Sequence, residues 1–333
     1  MSASASLDLS HVRLKHFRIE ALDVLRGCAL AAMFVYHLVW DFGYFGLVDR
    51  ALPTSDGFKF FGHCIAVTFL ALAGAGLVLS AQQGLRWSNW LKRLGMIGAA
   101  AAAVTIATYR LFPDSFIFFG ILHCIAAATI VATPFLRLPA WLGLLAGALI
   151  FAAPFAISNA TFDQPIWWWA GFGTEQPPSN DWRPFFPWVA FTLFGLAAMK
   201  TGLARGLPSW FTDWRATRPA WRLLALGGKH SLAIYLVHQP IFLAIIFVVV
   251  KLTAPDVDPE EAQFRTQCEA QCVANGGDAL VCAKFCGCVV GELQSATLWR
   301  KVLVNALSPM ERERLDVITR QCSRNAAEST PLR

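Results

Sequence analysis

Seven runs of apolar residues constrain this chain more than anything else in it: 22–39, 60–81, 94–112, 116–136, 140–158, 185–203 and 231–250. A helix needs about 20 such residues to cross the hydrocarbon core of a bilayer. The expected fold is therefore all-α, a polytopic helical membrane protein with about seven transmembrane helices embedded in lipid. Composition agrees, with 56% hydrophobic and 15% charged residues, where soluble domains carry about a quarter charged residues. The first run is not read as a cleaved leader. Arg26 lies inside it, no small-residue cleavage pattern follows, and it continues into an end bearing Trp40 and Tyr44. The formal charge of +6 does not point to nucleic acid, because the basic residues are scattered between apolar runs and form no stripe.

The basic residues read as topology signals. Arg13, Lys15 and Arg18 precede the first run, Arg86, Lys92 and Arg93 lie between the second and third, and Arg137 follows the fourth. Lys200, Arg205, Arg215, Arg218, Arg222 and Lys229 lie between the sixth and seventh. The opposite loops hold Arg50, Lys59, Arg110 and Arg183. This places the N-terminus in the cytoplasm and the segment after the seventh run outside. Six of the nine cysteines fall in that segment, and an exterior compartment is where disulfides persist. A bacterial inner membrane with a periplasmic tail fits both signals. The expected organisation is a basic arm over 1–20, a membrane domain over 21–252 and a cysteine-rich helical tail over 253–333. A homo-oligomer is compatible with it.

In the tail, Pro255 and Pro259 with their acidic neighbours mark a linker and a helix start. Cys268 and Cys272 are four apart and share a helix face, as do Cys282 and Cys286. The turn residues Asn275–Asp278 separate the two pairs. Two antiparallel helices would set Cys272 beside Cys282 and Cys268 beside Cys286, leaving Cys288 and Cys322 as the third pair. Six cysteines permit 15 connectivities, and this is the one that geometry prefers. Ser308 to Glu311 reads as a capping box with proline at the first helical position, beginning a third helix. No histidine accompanies these cysteines, so the tail reads as a stapled helical miniature domain and not as a zinc site. The long loop 159–183 is rich in tryptophan and reads as an interfacial belt or a re-entrant lid.

The first run carries Asp23, Arg26, His37 and Asp41. Charges at bilayer depth cost several kcal/mol each, about 3 on insertion scales, and mark a site by default. At about 100° per residue the four fall within a stripe about 60° wide, and Tyr44 extends it. Arg26 lies near the cytoplasmic end, and His37 is about 16 Å further along. A carboxylate one turn from an imidazole can fix its tautomer and make it a better base, and a guanidinium can hold an anionic or carbonyl oxygen. His63 and His123 are expected in the outer half of their spans, His238 deeper. Cys28, Cys64 and Cys124 read as small packing residues.

The Arg26-x10-His37 pattern resembles the signature of acyltransferase family 3 membrane enzymes. The longer string from Ala21 to Gly46 resembles the bacterial relatives of heparan-α-glucosaminide N-acetyltransferase. Three further strings share that resemblance: Phe119 to Ala126, Arg183 to Ala197 and Gly228 to Pro240. The tail lies outside it. The resemblance implies transfer of an acyl group, acetyl by analogy, from cytoplasmic acetyl-CoA (the acyl-CoA donor) to a hydroxyl or amine of a periplasmic acceptor, a glycan sugar. It also implies a catalytic histidine between the first two spans, where this chain offers only His63. The catalytic set is thus Asp23, Arg26, His37, Asp41, His63 and His123, with His37 or His63 as base and His37 favoured by its stripe and its Asp41 partner. Arg26, Lys229, His230 and His238 are the candidates for the donor, Lys229 and His230 ending the most basic loop. Two other classes use the same residues: a transporter or proton-coupled channel with His37, Asp41, His63 and His123 as a relay, and a haem protein with two histidine ligands.

Overall fold

The computed structural model describes residues 19–48, 51–253, 259–303 and 306–328. The basic arm up to Arg18, Arg50 and the linker around Pro255 lie outside the described residues. In chain order the helices are α1 (Glu20–Tyr44), α2 (Ala51–Thr54), α3 (Asp56–Ser80), α4 (Trp87–Leu111), α5 (Ile121–Ala132), α6 (Ala140–Ile157), α7 (Phe185–Arg205), α8 (Ser209–Thr212), α9 (Pro219–Lys229), α10 (Ser231–Thr253), α11 (Pro259–Ala274), α12 (Ala279–Ser295), α13 (Trp299–Leu303) and α14 (Pro309–Glu328). No strand occurs among the described residues. The protein is all-α and polytopic: α1, α3, α4, α6, α7 and α10 are long and apolar enough to span a membrane.

The fourth apolar run departs from a full span. Its helix is α5, 12 residues or about 18 Å. Ahead of it the carbonyls of Ser115, Phe116 and Phe119 accept hydrogen bonds from Asn180 N (2.9 Å), Ser179 Oγ (3.1 Å) and Arg183 N (3.1 Å). A distant loop, not a helix, satisfies that backbone, which is what membrane depth requires. At its other end Pro134 opens a 3₁₀ turn. Lys200 Nζ donates to the carbonyls of Phe135 and Leu136, both at 2.9 Å, and to that of Leu138. Lys200, read from sequence as part of the basic loop, thus also serves as a cap.

The chain divides into two compact units. The first holds residues 1–35 and 60–238. At its centre is α7, whose Val189, Ala190, Leu193, Leu196 and Ala197 are fully buried. Against it pack Leu70, Leu72, Ala75 and Val78 of α3, Cys124, Ala128 and Ala132 of α5, and Ile19 and Leu22 at the start of α1. Glycines set the closest approaches. A Cβ on Gly74 would lie 2.0 Å from Thr192 O, and one on Gly195 2.1 Å from Ala71 O. Small residues bring helix backbones together where lipid offers no hydrophobic drive. Trp141, Leu149 and Phe155 of α6 are exposed, as a lipid-facing surface requires.

The second unit holds residues 36–59 and 239–333. Phe45, Ile246 and Val250 form one core with Leu38, Phe42 and Leu243. The tail has its own core of Val289, Val290, Leu293, Leu298, Trp299, Ile318 and Cys322. Its disulfides are Cys268–Cys286, Cys272–Cys282 and Cys288–Cys322, the pairs that the four-residue steps and the intervening turn predict. Asp278 caps α12 through Leu280 N (2.9 Å) and Val281 N (3.3 Å). The Ser308–Glu311 box is formed in both directions, Ser308 N to Glu311 Oε2 at 2.9 Å and Glu311 N to Ser308 Oγ at 3.4 Å.

Candidate functional site

In the first unit, Asp23 and Arg26 of α1 are one helical turn apart and form an ion pair of 3.1 Å. Arg26 Nη2 also donates to Leu72 O of α3 at 3.4 Å. The pair sits against bare backbone. A Cβ on Gly228 of α9 would fall 1.8 Å from Asp23 O, and one on Gly27 2.1 Å from Leu224 O. Two glycines therefore allow α9 to lie directly on α1 beside the charges. Lys229 ends α9, and His230 N donates to Leu226 O and Gly227 O. Both side chains are exposed. A cavity of about 650 Å³ is lined by Val78, Gln82, Trp87, Thr133, Arg137 and Leu203, with Lys200 at its wall.

A second polar cluster of this unit involves residues the sequence did not single out as site residues, Asp181 and Arg183. Asp181 Oδ2 accepts from Ile121 N at 2.8 Å and so caps α5, where a carboxylate opposes the positive end of the helix dipole. Its Oδ1 lies 3.7 Å from Arg183 Nη1. The Arg183 guanidinium lies over the Trp188 ring, 4.9 Å from its centroid. His63 meets the same ring edge-on at 5.3 Å, and its side chain is exposed.

His123 is close by in the chain's fold but differently used. Gly120 N donates to its Nδ1 (3.3 Å), and its Nε2 lies 3.2 Å from Thr105 Oγ1. The Thr105 hydroxyl spends its proton on Ile117 O at 2.7 Å, so it accepts from His123, which carries its hydrogen on Nε2. Both ring nitrogens are occupied in holding the irregular segment before α5, and neither is left for a haem iron. His238 is buried, its Nδ1 2.7 Å from Tyr235 O, its ring stacked on Phe34.

The loop that carries Asp181 is held together by its own hydrogen bonds. Trp168 Nε1 donates to Asp163 O and Trp182 Nε1 to Trp168 O, both at 2.8 Å. The Asp163 carboxylate takes Thr174 Oγ1, Thr174 N and Glu175 N. Those bonds, the Thr174 hydroxyl first, hold it below the usual carboxylate range. Trp167 and Trp169 remain exposed.

In the second unit, His37 is half-buried and sits edge-on to Tyr36, which stacks on Phe58 at 4.8 Å. Asp41 is 3% exposed. The sequence points to His37 as its partner, one turn away. The hydrogen bond that Asp41 accepts is from Gln239 Nε2 of α10, at 2.6 Å. A residue 198 positions distant competes successfully for that oxygen because α10 runs past this face of α1.

A family model described as "Heparan-alpha-glucosaminide N-acetyltransferase, catalytic" matches residues 18–240, well over half of the 333 residues. The match spans both polar clusters and stops before the tail. No curated protein and no solved structure matches the chain.

Proposed function

Because the chain belongs to the heparan-alpha-glucosaminide N-acetyltransferase catalytic family, we propose that this membrane acetyltransferase takes its acetyl group from acetyl-CoA and delivers it across a bacterial inner membrane to a periplasmic glycan. The acceptor atom in this reading is a sugar amine or hydroxyl. The observation that carries it is the extent of the match, which takes in every polar group described above in the spans and ends within α10. Arg137 and the 650 Å³ cavity beside it have the size range of a cofactor site. Lys229 and His230, exposed at the end of α9, are further candidates in this reading for the phosphates of CoA at the cytoplasmic face.

The chemistry needs a base, and this reading assigns the role to His63. Its ring is accessible and is held by Trp188, which also carries the Arg183 guanidinium. His63 takes the proton of the acceptor O–H or N–H as that atom attacks the thioester carbonyl. The Arg183 charge is available to the tetrahedral oxyanion. The C–S bond then breaks, and the leaving thiolate takes up the proton to give free CoA. Asp181 acts through Arg183 and the start of α5 as a positioning residue, and His123 does so through the segment before α5. A second reading keeps His37 as the base, because it stands 11 residues after Arg26 on one continuous helix.

The test is consumption of acetyl-CoA thioester by purified protein with a glucosamine-containing acceptor. His63→Ala is expected to lower turnover about 10²- to 10⁴-fold with donor binding unchanged. Loss in His37→Ala with His63→Ala intact moves the role to His37. Full turnover in both variants overturns the assignment, and flux of solute without any acyl donor would favour a transporter instead.

A further inference from the structure

The bond between Gln239 Nε2 and Asp41 Oδ1 leaves two oxygens that need explaining. Asp41 Oδ2 and Gln239 Oε1 are both buried, and no hydrogen-bond donor among the described residues reaches either. An ionised carboxylate has only acceptors, and so does an amide carbonyl. Two bare acceptors on one bonded pair are each costly in a low-dielectric interior. Rotating the Gln239 amide by 180° does not help, because it would set its carbonyl against the carboxylate. A single hydrogen on Oδ2 supplies the missing donor.

We propose that Asp41 carries a proton on Oδ2 and donates it to Gln239 Oε1, so that the two side chains form a two-bond acid–amide pair joining α1 to α10 within the second unit. Asp41 is then a neutral positioning residue that fixes the stretch of α1 around His37. It is not the carboxylate that polarises that imidazole. No charge is left in the buried pair, which removes the penalty of an unpaired ion at membrane depth. The inference stands on one short hydrogen bond and two buried acceptors without a donor, and holds whether or not the chain transfers acetyl groups.

The test uses the full-length protein in detergent. Asp41→Asn keeps the shape and both bonds, with the amide N–H replacing the acid O–H. Its melting temperature is expected to stay within about 2 °C of the parent, while Asp41→Ala lowers it by about 4 °C or more. Adding Gln239→Ala to Asp41→Ala should cost little further, since the pair is already broken. The infrared difference between the parent and Asp41→Asn should show loss of a protonated-carboxyl C=O band. If Asp41→Asn is as destabilised as Asp41→Ala, or if no such band is lost, Asp41 is a charged carboxylate and the inference fails.

Discussion

Where α9 meets α1, the contact is made by missing side chains: Gly228 lies on the backbone of Asp23 and Gly27 on that of Leu224. Where α11 meets α12, it is made by added bonds, Cys268–Cys286 and Cys272–Cys282. The ion pairs differ in the same sense. Asp23–Arg26 is enclosed, with side chains 4% and 22% exposed, whereas in Lys301–Glu311 they are 51% and 22% exposed. The difference teaches where each region's stability resides. Between apolar spans, close packing and a few enclosed polar contacts hold the helices. In the polar tail, with a small core, covalent closure of the chain takes over.

The largest expected effect breaks the enclosed pair. Arg26→Ala withdraws the cation from a carboxylate that is 3% exposed, a change that destabilises by about 3–5 kcal/mol. The double change Asp23→Asn with Arg26→Gln removes both charges and should be milder. Thermal unfolding of the purified protein in detergent ranks the three. If Arg26→Ala melts like the parent, the pair is a surface contact in all but position, and the contrast with the tail collapses.

The same contrast explains what could be read from the chain. The tail's pairing was legible because its signals are local: a four-residue step between cysteines, a turn of asparagine, glycines and aspartate, a serine three residues before a glutamate. Each is set by helix geometry and needs no knowledge of distant partners. The polar stripe of α1 was legible for the same reason. What it meets was not. Gln239 reaches Asp41 from 198 residues away, and Asp181 reaches Ile121 from 60. Periodicity says which side chains share a face and nothing about which helix arrives there. The shortness of α5 did leave a trace, since Gly120 and Pro134 punctuate the fourth apolar run. A count of apolar residues passes over such punctuation.

If loop closure dominates the tail, its three disulfides should not be equal. Cys272–Cys282 closes 10 residues and Cys288–Cys322 closes 34. Chain entropy assigns them about 2.7 and about 3.8 kcal/mol. Replacing both cysteines of each pair by serine in the full-length protein should therefore lower amide-exchange protection of α12 more for the longer loop, by about 1 kcal/mol of opening free energy. Equal losses, or the reverse order, would mean that the cysteines act mainly as packing groups around Val289 and Leu293, and the tail would then resemble the spans more than it differs from them.

The smallest effect concerns the exposed pair. Glu311 is held down to about 2 from its ordinary 4.5, first by its bond from Lys301 and then by those of Ser308. A carboxylate whose folded value is depressed binds fewer protons folded than unfolded between those two limits, so its contribution is whole above pH 4.5 and is lost as pH falls through about 2. Because the group is on the surface, the size should be modest and should shrink further in high salt. The expected outcome is a loss of exchange protection in the first turn of α14 between pH 5 and pH 2, corrected for intrinsic rates, that Glu311→Gln flattens. The enclosed pair at Asp23 should show no comparable salt dependence, since screening by dissolved ions acts on exposed charges and scarcely on buried ones. If salt weakens both pairs alike, enclosure is not what separates the two regions.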